Sequence, residues 1–143
     1  YDEVLSNIKT WNTYFEKNKD LIFQGKSSKD IDKAKLENKT AIFYGLQNCS
    51  PVEDSIDYVE SLKKLGVLFM QLTYNNQSLL ATGCYEKRDS GITRMGKEVI
   101  KEMNRVNMII DMSHSAEFST LPARVMNGPK MGIPHLQQYR NIK

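Results

Sequence analysis

The chain has 143 residues, 40% of them hydrophobic and 26% charged, with a net charge of +3. That suffices for one modest domain with a core and fits an ordinary soluble protein. It excludes a nucleic-acid surface, because the charge is weak and the lysines are scattered, and no apolar run reaches the length of a membrane span. Cys49 and Cys84 lie far apart in no CxxC pattern, which gives neither a disulfide framework nor a thiolate zinc site. A reducing compartment, the cytoplasm, is the resulting expectation. The chain enters a helical pattern directly after Tyr1 and stops abruptly at Lys143, so it reads as a fragment with its N-terminus missing.

Val4, Ile8, Trp11 and Phe15 recur at helical spacing, so residues 2–18 predict an amphipathic helix with Trp11 and Phe15 in the core. Leu21-Ile22-Phe23 predicts a short strand. Ser28 suits the cap of a helix over 29–37, with Ile31 and Ala34 inward and Lys33, Lys35 and Lys39 solvated. Residues 40–45 are rich in β-formers and predict a strand. Ser50-Pro51-Val52-Glu53 carries a helix-start signature: Ser50 as cap, Pro51 in the first position, Glu53 in the reciprocal capping role. Ile56, Val59, Leu62 and Leu65 form the buried stripe of that helix, and Gly66 closes it. Residues 67–73 predict the next strand. Residues 77–91 predict a long polar loop, functional or passing over a site. Thr93 caps a helix to Arg105 with Ile92, Met95, Val99, Met103 and Val106 on one face. The apolar run 107–112 is a strand. Ser119 is the expected cap of a further helix, with Pro122 in its first turn and Leu121 and Val125 inward. Asn127-Gly128-Pro129 ends it, and residues 131–135 give a last short strand that Pro134 weakens.

This alternation implies parallel strands joined by right-handed crossovers, either half of a (β/α)8 barrel or part of an open doubly wound sheet. No glycine-rich phosphate loop follows any strand, so a nucleotide-binding sheet has no support. In a barrel the carboxyl ends of the strands build the active site. Those positions carry Gln47, Tyr74, His114 and His135, and both histidines of the chain are among them. Imidazoles on neighbouring strands suit zinc. A lone histidine after a strand is more often a hydrogen-bonded loop residue, and the pairing brings the metal reading level with that one. Tyr74 and Gln47, taken singly, read as packing or hydrogen-bonding residues. Asp111 serves either to orient a ligand from behind or as a structural acceptor. Cys84 and Glu86 read as structural, since neither has a partner at ligand spacing.

Six motifs occur in one order: Gly45-Leu46-Gln47-Asn48, Gln71-Leu72-Thr73-Tyr74-Asn75, Asp89-Ser90-Gly91-Ile92-Thr93, Gly96-Lys97-Glu98-Val99-Ile100, Glu102-Met103-Asn104-Arg105 and Ile110-Asp111-Met112-Ser113-His114. Together they resemble the renal (membrane) dipeptidase family of zinc peptidases, its bacterial branch above all, from residue 1 to about residue 121. The resemblance implies a (β/α)8 barrel, here roughly strands 3 to 6 with their helices, with a two-zinc centre that hydrolyses dipeptides. It implies that residues 1–143 form one partial metallo-dipeptidase domain, with 122–143 a divergent C-terminal segment. His114 matches the metal-binding histidine after the fifth strand, and His135 stands about where the next one falls. Arg140 resembles the arginine that binds the substrate carboxylate. Gln47 occupies the position of a metal-bridging glutamate, and Tyr74 that of a histidine thought to stabilise the tetrahedral intermediate. The family's His-x-Asp metal pair would lie upstream of Tyr1 and its catalytic aspartate downstream of Lys143.

Two readings follow. The first is a piece of a zinc-dependent dipeptidase, with a dipeptide as its partner molecule and a homodimer as its possible assembly. The second is an inactive barrel remnant that binds something or nothing, and Gln47 is its motive, since a neutral amide does not bridge two zinc ions as a carboxylate does.

Overall fold

A computed structural model describes residues 1–127. The order is α1 (Asp2–Lys17), β1 (Ile22–Gln24), α2 (Lys29–Leu36), β2 (Thr40–Ile42), β3 (Tyr44–Leu46), a 3-10 turn (Ser50–Val52), α3 (Asp57–Lys64), β4 (Val67–Gln71), α4 (Arg94–Arg105), β5 (Ile109–Asp111) and α5 (Glu117–Asn127). Every strand pairing is parallel: β1 with β2, and β3-β4-β5 in that order. Helices connect the parallel neighbours, as such crossovers require. The fold is therefore a mixed α/β arrangement of parallel strands.

The strand expected over 40–45 is divided. β2 pairs backward to β1 and β3 pairs forward to β4, with a register shift between Tyr44 and Gly45. At the division the Phe43 ring lies against Gly25, where a side chain would meet it. Gly45 plays the same part for Phe69, whose ring occupies the space a Cβ would take. The helix expected from Ser50 begins instead at Asp57. Asn48 Oδ1 accepts from Ser50 N at 2.9 Å, which winds the segment into a 3-10 turn, and Glu53 at φ +52 leaves the helical path instead of closing a capping box. Ser28 does not cap α2 with its side chain. Asp30 does the local work, accepting from the Lys26 and Ser27 amides at 2.9 and 2.8 Å.

One apolar cluster seals the helix side of the sheet. It joins Met70 and Ile110 with Val59 and Leu62 of α3, Val99, Ile100 and Met103 of α4, and Ala123 of α5. α4 follows its sequence closely: Thr93 Oγ1 accepts from Gly96 N at 2.9 Å, and the expected stripe is buried or half-buried. Three expected core residues are not in it. Trp11 is 38% exposed, Ile31 46% and Leu121 48%. In α1, Ile8 is the buried anchor, with Val4 and Phe15 packed against it. The side chain of Val125 and the strand expected over 131–135 lie outside the described residues. No described helix is long and apolar enough to cross a membrane.

α5 starts two residues before its expected cap, so Pro122 stands inside the helix and not in its first turn. Ser119 is not a cap either. It is fully buried, accepts from Thr82 N at 3.1 Å and donates to Thr82 O at 3.1 Å, which pins α5 to the middle of the 72–93 loop. Asp89 supplies the missing cap: one carboxylate oxygen accepts from Phe118 N at 2.6 Å and the other from Gly91 N at 2.9 Å. The loop expected to be polar is therefore a packed one, with Leu80, Ala81 and Thr82 at 0–1% exposure.

Candidate functional site

His114 follows β5 by three residues and sits at φ +63, a left-handed conformation that a histidine adopts only at some cost. Two bonds hold it there. Its carbonyl accepts from Cys84 N at 2.9 Å and from Thr73 Oγ1 at 3.1 Å. A third fixes the ring: His114 Nδ1 lies 2.8 Å from Asn75 Oδ1. An amide oxygen only accepts, so Nδ1 is the donor in this contact, and in the neutral imidazole the lone pair then lies on Nε2. The Tyr74 ring packs against the imidazole, with centroids 4.7 Å apart and planes tilted by 39°. Tyr74 is 43% exposed, so its phenol is open to a ligand beside the histidine.

The loop after β4 builds this geometry. Asn75 is itself at φ +63, its carbonyl accepts from Tyr85 N at 2.9 Å, and Gly83 passes so close that a Cβ would strike the carbonyls of Asn75 and Asn76. Gly83 bridges to Ser115, whose hydroxyl lies 3.0 Å from that of Thr73. Sequence reading missed Asn75. The signal was there, in an asparagine directly after a strand-end Tyr, but its partner lies 39 positions away.

The other candidates fall as follows. Gln47 is exposed just past β3. Asp111 ends β5 and accepts from Ser113 N at 2.8 Å, so it shapes the turn into His114 but does not touch the ring. Glu86 Oε1 accepts from Gln77 N at 2.8 Å, and Cys84 Sγ lies 3.9 Å from Asn75 Oδ1. His135 and Arg140 lie outside the described residues. A pocket of about 370 Å³ opens between α2 and β2, lined by Ile31, Ala34, Lys39 and Phe43. Lys35, Asn38 and Thr40 line it as well. It belongs to the other sheet from His114, so the chemistry of that histidine is not placed there.

Among the described residues, no three His, Cys, Asp or Glu side chains come together as a metal would need. His114 offers one correctly oriented nitrogen, and Gln47 offers a neutral oxygen. This donor set does not by itself hold a zinc ion.

A parallel α/β fold with its polar residues gathered past the strand ends is the class seen in amidohydrolases and dipeptidases of known structure. An amidohydrolase from Pseudomonas aeruginosa superposes with a TM-score of 0.85 at 41% identity, covering 90% of this chain and 39% of that one. The probable dipeptidase PvdM of the same organism gives 0.72 at 19% identity, over 78% of this chain and 30% of that one, and supports the fold alone. Among proteins compared by sequence, Dipeptidase verJ of Clonostachys rogersoniana is 25% identical over 78% of this chain and 29% of its own length. Dipeptidase 3 of Rattus norvegicus is 32% identical over 55% of this chain and 17% of its own. The family model for membrane dipeptidase (Peptidase family M19) matches residues 1–123, and the chain belongs to that family. It spans less than a third of the length of these two relatives.

Proposed function

We propose that the chain is part of a (β/α)8 barrel, strands 3 to 6 with their helices, in a zinc-dependent dipeptidase that hydrolyses the peptide bond of a dipeptide. The observation that carries this is the posture of His114. A histidine in a left-handed conformation, held by two bonds to its carbonyl and one at Nδ1, leaves Nε2 as the nitrogen that the neutral ring offers to a metal at the strand ends. Metal-binding histidines are held in this way, by a partner on the second nitrogen. The choice of test substrate follows a neighbour in fold: a metallo peptidase from Rhodobacter sphaeroides, at a TM-score of 0.63 and 13% identity over 68% of this chain and 30% of that one, is described as liganded with a phosphinate mimic of the dipeptide L-Ala-D-Ala.

In this reading His114 Nε2 is a zinc ligand and His135 a second one. The Tyr74 phenol would donate a hydrogen bond to the oxyanion that develops on the scissile carbonyl. Arg140 takes the substrate carboxylate as a bidentate partner. His114 and His135, completed by residues beyond the ones described, would hold the zinc, which when bound would lower the pKa of a water.

The full-length protein, purified with zinc, is expected to hydrolyse L-Ala-D-Ala and to retain zinc through gel filtration. His114→Ala is expected to lose that zinc. Asn75→Ala is expected to weaken zinc affinity by roughly 10–100-fold with the fold intact, because it frees the ring without removing it. A second reading, a barrel kept without catalysis, draws on the neutral Gln47. It wins if the full-length protein holds no zinc and cleaves no dipeptide.

A further inference from the structure

Two buried side-chain atoms find no hydrogen-bond partner among the described residues: Gln24 Nε2 and Gln71 Oε1. Gln24 packs on Gly66 at the amino end of β4, where its amide fills the place of the missing Cβ. Gln71 is different in position. It is the last residue of β4, is 6% exposed, and pairs in register with Asp111, the last residue of β5. Leu46 pairs with Met70, so the next residue of that chain, Gln47, continues the same rung. Gln71 and Asp111 thus end adjacent parallel strands at one level, with Gln47 one residue past the end of β3 at the same level.

Gln71 and Asp111 also share a face. Side chains alternate along a strand. Met70 and Ile110 point into the helix-covered cluster. Gln71 and Asp111 therefore point the other way, with Phe69 and Ile109. One Asp111 oxygen accepts from Ser113 N, and the other accepts no hydrogen bond among the described residues. The rung offers two amide oxygens and a carboxylate, a set of acceptors with one negative charge, beside Tyr74 and His114.

We propose that Gln71 is a substrate-binding residue whose side-chain carbonyl accepts a hydrogen bond from the α-ammonium of a dipeptide, with the Asp111 carboxylate beside it as the countercharge. The proposal rests on the dipeptidase reading above. An amide buried without a partner destabilises the fold, and such groups call for a role that repays the loss. The terminal torsion of a glutamine is broad, so turning the carbonyl to a ligand needs little rearrangement. An ammonium brings three donors and a positive charge, which the rung matches.

The test compares the full-length parent with two variants, Gln71→Met and Gln71→Glu, on two probes, L-Ala-D-Ala and its N-acetyl derivative. Gln71→Met keeps the volume and removes the unpaired amide. It is expected to raise Tm, to raise KM for L-Ala-D-Ala about tenfold, the scale of one lost hydrogen bond to a charged group, and to lose the preference for the free amine. Gln71→Glu keeps an acceptor and is expected to retain that preference while lowering Tm. The proposal is overturned if Gln71→Met lowers Tm, since the amide then has a structural partner elsewhere in the protein. It is equally overturned if Gln71→Met leaves both KM and the free-amine preference unchanged. If the parent neither cleaves L-Ala-D-Ala nor is stabilised by it, the dipeptidase reading fails and takes this contact with it, an outcome distinct from failure of Gln71 alone.

Discussion

The two faces of the β3-β4-β5 sheet are made of similar residue types and have opposite fates. On one face Met70 and Ile110 are 0% and 1% exposed, sealed by α3 and α4. On the other, Gly45 is exposed, Phe69 is half-buried and Ile109 is 53% exposed. An isoleucine that opens a paired strand at that exposure leaves much of its apolar side chain in water. The difference teaches that the described residues complete one layer with their helices and cover the second only at its carboxyl end, where Gln71 is buried, leaving it open at Ile109. A barrel interior has this character when seen from part of its staves, and the polar rung and His114 stand at the carboxyl rim of the open face.

The sharpest way to break that comparison is to truncate one residue on each face in the full-length protein. Met70→Ala is expected to cost about 2–5 kcal/mol, the usual price of a large cavity in a sealed core. Ile109→Ala separates the alternatives. If the proposed barrel closes over the open face, its cost joins the same range, about 2–5 kcal/mol. If the face stays open, the cost stays within roughly 0.5 kcal/mol, as for surface sites. Denaturant unfolding of both variants reads the answer, and a near-neutral Ile109→Ala would sink the barrel.

A smaller effect sharpens the boundary between the sealed layer and the site loop. Ser119 on α5 and Thr82 in the loop exchange two buried hydrogen bonds. Ser119→Ala leaves the Thr82 N–H with no side-chain acceptor in a dry place, at an expected cost of about 1–3 kcal/mol. Because Thr82 N is also within 3.1 Å of Gly91 O, the lower half of that range is the more natural outcome. Hydrogen exchange at Thr82 should quicken while exchange at Val99 and Ile100 does not. Uniform quickening across α4 would show that the loop and the helix layer unfold as one unit.

Much of the sealed layer was legible in the sequence, because helix periodicity and a side-chain cap are local signals. α4 is the clear case: Thr93, the stripe Val99 and Met103, and the end at Arg105 all follow from spacing and capping. What failed was the reading of residues whose partners are distant. Ser119 looked like a cap and is a buried tie to Thr82, while Asp89, 29 positions from Phe118, is the cap. Ser50-Pro51-Val52-Glu53 satisfied a local pattern, yet Asn48 bent the chain first. At the site, His114 and Tyr74 were legible as strand-end residues of the right chemistry, and the structure brings their rings together. Asn75 and Gln71 were not, since an amide declares its role only by what it meets or fails to meet.

The smallest effect concerns Cys49, which sits on the sealed side just past β3 at 6% exposure. Burial pushes its thiol above the ordinary cysteine range, because a thiolate there would lose its water, and a bond from Ser78 offsets this in part. In the unfolded chain the thiol ionises at its usual value, near 8.5. Between that value and the raised folded one, the folded state holds a proton that the unfolded state releases. The contribution of Cys49 is therefore complete below about pH 8.5 and declines as pH climbs through that window. Unfolding of the full-length protein between pH 7 and pH 9.5, compared with Cys49→Ala, isolates it: the parent should lose more stability with rising pH than the variant does. Equal slopes would mean that water reaches Cys49, and the face described as sealed would then be open at its β3 corner.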